Sequence, residues 1–351
     1  MEKTDIRGLA LPELEMEVTA LGEKPFRARQ VYQWLHQKLI TDYGQMSNLL
    51  QKLRETLADH FSLTALEAVD VRISQIDGTR KYLFRLADGN VIESVWMRYH
   101  HGNSVCISSQ VGCRMGCRFC ASTLDGLERN LTAAEMLDQV YRIQALTGER
   151  VSNVVVMGSG EPLDNYDNLL RFIKLLGAPE GLNISQRAVT VSTCGIVPGI
   201  RRLAEEKLQI TLALSLHAPD DETRRQLMPI ANRYALEDVM AACRDYFALT
   251  GRRVTYEYSL VRGVNDDVRT ARALAGLLSG AHGHANLIPV NPIRERDYVQ
   301  SDQRSIQAFK NQLERSGIPA TVRREMGRDI NGACGQLRRS FLREERQKEG
   351  E

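Results

Sequence analysis

The sequence predicts an α/β protein: a partial (β/α)6 TIM-like barrel, a small N-terminal helical accessory domain and a β-hairpin extension joining them. Three observations carry this. Apolar residues recur at helical spacing as far as about residue 65. The period then shortens to that of strands over 67–99. From residue 104 onward, short apolar runs alternate with segments of helical length, as in parallel strands joined by crossover helices.

Residues 1–65 form the expected accessory domain. Leu11-Pro-Glu-Leu14 opens one helix, Phe26, Val31, Tyr32, Trp34 and Leu35 populate the next, and Leu49, Leu50, Leu53 and Leu57 a third. The stretch from Lys24 to Lys38 mixes basic and aromatic residues. That mixture suits an RNA-facing helix, where cations meet phosphate and rings meet bases. It suits equally an amphipathic helix with its rings in the core. In the extension, 66–103, two β-like runs flank the turn signal Ala87-Asp-Gly-Asn90. Glu93 sits in the second run; partly buried, it would have its pKa raised and could act as a base. The alternative is a solvent-facing residue of an edge strand.

The barrel is expected over 104–342. Strands are read at 104–109, 151–157, 188–192, 210–216, 254–260 and 285–290, with a terminal strand near 320–323. Thr132-Ala-Ala-Glu135 is a capping box for the first helix, and further helices are expected around 169–176, 201–206, 237–249, 267–278 and 303–315. Barrels of this kind place their chemistry at the C-terminal ends of the strands. The cysteine loop, Glu161, Ser192, Ser215, His217 and Asn291 all fall there. Residues 343–351 are charged and read as a frayed tail.

Composition narrows the class. The 351 residues are 43% hydrophobic and 26% charged, with a net charge of +2, ordinary for a globular chain. The first residues lack the apolar core of a signal peptide, and no apolar run approaches the ~20 residues that span a bilayer. Seven cysteines, an odd number, argue against a secreted disulfide framework. A cytoplasmic, reducing setting, no membrane partner and a monomer are expected.

The chemistry concentrates in Cys106-Ile-Ser-Ser-Gln-Val-Gly-Cys113-Arg-Met-Gly-Cys117-Arg-Phe-Cys120. Cys113, Cys117 and Cys120 form C-x3-C-x2-C, and thiolates so spaced can converge on one soft metal centre. Zinc usually takes four ligands from two separated pairs, whereas Cys194, Cys243 and Cys334 are each isolated. Three thiolates on a four-iron cluster leave one iron open to a small molecule. A zinc knuckle and a redox dithiol are the competing readings. Near the C-terminus, Cys334 lies between glycines with Arg323, Arg324, Arg328, Arg338 and Arg339 around it in sequence, neighbours that favour a thiolate.

The C-x3-C-x2-C loop resembles the signature of the radical S-adenosylmethionine (SAM) enzymes, and Gly158-Ser-Gly160-Glu161-Pro162 resembles the motif that holds the amino group of SAM. With Cys106 seven residues ahead of Cys113 and the run Ala333-Cys334-Gly-Gln-Leu337, the chain closely resembles the radical SAM RNA adenine methyltransferases over nearly its whole length. The resemblance implies one [4Fe-4S] cluster on Cys113, Cys117 and Cys120. It also implies a SAM pocket of Gly160, Glu161, Ser192, Ser215, Leu216, His217 and Asn291. It implies methylation at C2 of an adenine in the peptidyl transferase region of 23S ribosomal RNA and of an anticodon-loop adenine in transfer RNA. A sister group acts at C8 of the ribosomal adenine and typically has Glu-Ala where this chain has Glu161-Pro162.

The implied route uses two SAM molecules. Cys334 takes a methyl from the first; the second yields a radical that activates this methyl for addition to the ring. Cys106 then resolves the protein–RNA adduct through a transient disulfide with Cys334. Glu93 or Cys106 removes the ring proton, and a flavodoxin- or ferredoxin-type protein supplies electrons. The rival outside enzymology is a zinc-stabilised RNA-binding module.

Overall fold

The computed structural model describes residues 3–293, 295–330 and 336–349. Cys334 lies outside the described residues. The N-terminal unit runs β1 (Thr4–Asp5), α1 (Leu11–Ala20), α2 (Pro25–His36), α3 (Gln51–His60) and β2 (Phe61–Ser62), with β1 and β2 paired in parallel. Its apolar positions at helical spacing, among them Leu14, Val18, Val31, Leu35, Leu53 and Leu57, close a core of their own. The amphipathic reading of α2 holds, with its apolar residues in the core and charged residues toward solvent. Ala28, Val31, Tyr32, Leu35 and His36 are buried, while Phe26, Arg29 and Lys38 face solvent. There the Lys38 ammonium lies 3.7 Å from the Trp34 ring centroid.

The remainder is built on one ten-stranded sheet. It begins with β3 (Glu67–Ile73), β4 (Arg80–Arg85), β5 (Val91–Tyr99) and β6 (Gly102–Ile107), which pair antiparallel in sequence. A short hairpin, β7 (Gln110–Gly112) with β8 (Leu127–Asn130), encloses the cysteine loop. Then follow α4 (Ala133–Thr147), β9 (Val151–Val156), α5 (Tyr166–Leu176), β10 (Val189–Thr193), α6 (Val197–Glu205) and β11 (Thr211–Ser215). The chain continues through α7 (Asp221–Leu227), α8 (Leu236–Thr250), β12 (Val254–Leu260), α9 (Val268–Leu278), β13 (Gly283–Pro289), α10 (Gln303–Arg315), β14 (Ala320–Val322) and α11 (Gln336–Glu349). From β6 through β9 to β14 all neighbours are parallel. This is the open barrel expected, with a terminal strand.

Local chemistry explains the boundaries. The Thr132 hydroxyl accepts from Glu135 N–H while Glu135 reaches back to Thr132 N–H at 2.8 Å, and Gly148 closes the helix at φ 67°. The β4–β5 hairpin continues the barrel sheet through β5 and β6, so β5 is an interior strand. Glu93 is therefore not the edge-strand surface residue considered above; it is 3% exposed. Seven elements were not expected: β1, β2, β3, β7, β8, α7 and α11. The tail read as frayed from residue 343 continues as helix to Glu349, with no glycine or proline before Gly350.

The accessory domain docks on α4. Arg7, fully buried, pairs with Asp138 and donates to the carbonyls of Thr64 and Ile40. His36 Nδ1 lies 2.8 Å from the Tyr141 hydroxyl.

Candidate active site

The cysteine loop is held by backbone bonds before any ligand is considered. Cys113 N–H donates to the Gly126 carbonyl at 2.8 Å, Cys120 N–H to the Cys117 carbonyl at 3.1 Å, and Arg118 N–H to the Leu227 carbonyl at 2.9 Å. Gly112 is required: at φ 75°, a Cβ there would meet the Gly126 oxygen at 2.0 Å. Cys113 and Cys117 are buried and Cys120 is half-buried. Burial, with the charges of Cys120, Glu161 and Asp164, pushes the Cys113 thiol up to about 12; burial and its neighbouring thiols raise Cys117 further.

The thiols thus feel one another, yet no three His, Cys, Asp or Glu among the described residues gather closely enough to hold a single metal ion. A mononuclear zinc draws its sulfurs to about 2.3 Å, whereas a four-iron cluster holds its thiolates farther apart. Three soft thiol donors on one short, backbone-held loop are the donor set that an iron–sulfur cluster takes. A cationic iron centre would also discharge thiolates that burial otherwise disfavours.

The loop after β9 interlocks with this one. Ser109 N–H and Gln110 N–H donate to the Ser159 carbonyl at 2.8 and 3.1 Å, and Glu161 N–H donates to Gln110 Oε1 at 2.8 Å. Arg114 pairs with Asp164 across the two loops. Gly160 has φ 108°, and a Cβ there would lie 2.6 Å from the Ser109 hydroxyl. Glu161 is buried, with its carboxylate accepting Leu163 N–H at 3.1 Å and Cys194 N–H at 2.7 Å. Its side chain ties the ends of β9 and β10 together, leaving the loop backbone as the part able to meet a ligand.

Ser192 and Ser215 stand on neighbouring strands with hydroxyls 3.4 Å apart. Leu216 is fully buried, and its N–H donates to the Glu257 carbonyl at 3.0 Å. His217, at φ 58°, accepts Ser259 N–H at Nδ1 (2.9 Å), which puts the ring proton on Nε2. Burial, helped by the Arg224 charge, lowers its pKa to about 3 and keeps the ring neutral. The Phe119 ring meets it edge-on at 4.6 Å.

Inside the barrel mouth is a cavity of about 490 Å³. It brings together Cys106, Cys120 and Asn291 of the expected residues, with Phe119, Met157, Ser259, Gln300, Arg323, Arg324 and Arg328. Gly160, Glu161, Ser192, Ser215, His217, Cys113 and Cys117 sit at neighbouring strand ends but do not line it. Its size and polar rim suit a nucleoside-sized group such as SAM. Two of the five arginines are committed elsewhere: Arg338 Nε donates to the Val91 carbonyl at 3.0 Å, and Arg339 pairs with Asp125 and Glu295.

Glu93 shares its sheet face with Val95 and Cys106, whose strands pair directly. Desolvation alone does not describe it. One carboxylate oxygen lies 3.1 Å from the fully buried Lys81 ammonium, and the other accepts Arg338 N–H at 2.7 Å in the first turn of α11. Lys81 and Arg224 are the polar groups that sequence reasoning missed. Lys81 lies in a strand whose alternation offers no sign of an ion pair, and α7 is too short to show a periodic signal.

Residues 107–274 match the family model of the radical SAM superfamily, the class that this fold and thiol loop define. Residues 4–63 match that of the ribosomal RNA large subunit methyltransferase N-terminal domain. A protein of Lachnospira eligens named "Probable dual-specificity RNA methyltransferase RlmN" is 61% identical, covering 97% of each chain. One of the same name from Lachnoclostridium phytofermentans is 62% identical, covering 97% of this chain and 96% of its own. The crystal structure of a radical SAM methyltransferase from Sphaerobacter thermophilus superposes with a TM-score of 0.91 at 45% identity, covering 95% of this chain and 98% of that one. The chain belongs to the RlmN family of radical SAM RNA methyltransferases. Membership carries a [4Fe-4S] cluster and SAM, and it sets aside the zinc-stabilised binding module.

Proposed function

We propose that this enzyme methylates C2 of an adenine in the peptidyl transferase region of 23S ribosomal RNA and of an anticodon-loop adenine in transfer RNA. The dual specificity in the relatives' names favours this over C8 methylation of the ribosomal adenine alone. Cys113, Cys117 and Cys120 hold the cluster. Gly160, Glu161, Ser192, Ser215, Leu216, His217 and Asn291 form the surroundings of SAM. When bound, cluster and SAM supply methyl groups and one-electron cleavage of a sulfonium. Electrons come from a flavodoxin- or ferredoxin-type donor, and the protein works as a cytoplasmic monomer. No helix among the described residues is long and apolar enough to cross a membrane.

The chain's own residues divide the remaining work. Cys334 carries the methyl as a thioether. Glu93 or Cys106 receives the ring proton. Cys106 sulfur then bonds to Cys334 sulfur, breaking the Cys334-to-carbon bond and leaving its electron pair on the product. One observation supports this division most: Cys106 and Glu93 share the inner face of the sheet, and the helix that begins two residues after Cys334 is capped by Glu93. Incubation of the reconstituted enzyme with SAM, reductant and transfer RNA or a ribosomal RNA fragment tests it. Digestion and mass spectrometry should give 2-methyladenosine from both; 8-methyladenosine, or product from one RNA only, would overturn the reading.

A further inference from the structure

Arg224 on α7 is fully buried, yet no ion pair in the described residues neutralises it. Its Nη2 donates to the Cys194 carbonyl at 2.7 Å, while Nε and Nη1 are buried without a hydrogen-bond partner. The Asp221 carboxylate acts on it only from beyond ion-pair range; a buried guanidinium without a close counter-ion costs several kcal/mol, so the site calls for negative charge. α7 packs directly on the cysteine loop. The Leu227 carbonyl receives Arg118 N–H at 2.9 Å, and Leu227 and Met228 share an apolar cluster with Cys117 and Cys194. A Cβ on Gly116 would lie 3.3 Å from Pro229, just beyond the helix. Close approach of α7 thus brings a permanent cation beside a set of thiols.

We propose that Arg224 is the positioning cation of the thiolate loop, compensating the anionic charge borne by Cys113, Cys117 and Cys120 and raising the reduction potential of the cluster they hold. This rests on placing the cluster on those three residues. A fixed positive charge favours the more negative, reduced state, so its loss lowers the potential. His217, also on the rim, is neutral and cannot substitute.

The test uses the anaerobically reconstituted full chain and its Arg224→Met, Arg224→Lys and Cys117→Ala variants, with iron analysis, apo-protein melting and a redox titration followed by electron paramagnetic resonance. Arg224→Met should keep its iron but show a reduction equilibrium about tenfold less favourable, a shift of about 59 mV for a one-electron couple. Arg224→Lys should stay close to the parent. Should the methionine variant lose its iron while the lysine variant keeps it, dependence on the cation is shown by loading itself. The proposal is overturned if Arg224→Met holds iron at an unchanged or higher potential, if both variants lose it, or if SAM affinity alone changes. Iron retained at the parent level in Cys117→Ala would instead remove the cluster assignment, whatever Arg224 does.

Discussion

At the scale of single residues, the site depends on polar groups buried together. Glu93 and Lys81 are both nearly inaccessible and lie on paired strands, so each offsets much of the cost of burying the other's charge. Breaking such a pair from one side costs about 3–5 kcal/mol, whereas removing both charges costs much less. Lys81→Met should therefore lower unfolding stability by about that amount in urea titrations, and the Lys81→Met/Glu93→Gln double variant should recover most of it. Methyl transfer should not recover in the double variant if Glu93 receives the ring proton; full recovery would assign that task to Cys106. The thiols give a second prediction. On the proposed function, Cys334→Ala lacks the sulfur that carries the methyl and should form no covalent species with RNA. Cys106→Ala should begin turnover and stop as a protein–RNA crosslink, seen on a denaturing gel and removed by RNase. Identical behaviour of the two variants would refute the division of labour.

At the scale of elements, the join between α4 and the accessory domain is a pH-sensitive seam. Burial and the Arg7 charge lower the His36 pKa from 6.5 to about 3, so the unfolded chain binds a proton there that the folded chain does not. Stability from this residue is intact above pH 6.5 and falls with decreasing pH by about 1.4 kcal/mol per unit until the folded pKa is reached. Denaturant midpoints between pH 7 and 5 should show this slope, and His36→Gln should flatten it; an unchanged slope would show that another group sets it. The elements also show which signals sequence carries. The α4 capping box, the turn at Ala87-Asp-Gly-Asn90 and the repeated alternation of strand and helix are local patterns, and the structure follows them. β3 carries a readable period-2 alternation, Val69-Asp70-Val71-Arg72-Ile73, that sequence reasoning passed over, although Val71 and Ile73 face solvent in the structure. α7 was missed because seven residues complete barely two turns and its start is marked only by the Asp220 cap. The ion pair of Lys81 with Glu93 and the contact of α7 with the cysteine loop depend on strand register and tertiary packing, which no short window of sequence contains.

On the scale of the whole molecule, the accessory domain and the candidate site occupy different layers. The accessory domain docks on α4, which covers the sheet face carrying Tyr82, Phe84 and Trp96, while Cys106 and the cavity lie on the opposite face. On the proposed function, an RNA that touches both must pass around the barrel rim, with α2 acting remotely from the reacting atoms. The solvent face of α2 and the turn after it offer cations and rings: Arg29, paired with Glu15, is 71% exposed at its side chain, and Lys38, two residues past the helix, rests on Trp34. Replacing both basic residues by alanine should leave α2 folded, because neither belongs to its core. Phosphate contacts contribute binding that weakens with salt and says nothing about the base, so the double variant should raise KM for transfer RNA several-fold and make the salt dependence shallower. The value of kcat should change little, and methylation of Cys334, which uses SAM without RNA, should proceed at the parent rate. Measurement of KM at several salt concentrations, beside mass analysis of the Cys334 peptide, decides the matter. A fall in kcat at unchanged KM would mean that α2 shapes the active site through the barrel; unchanged KM and salt slope would remove this helix from the RNA path.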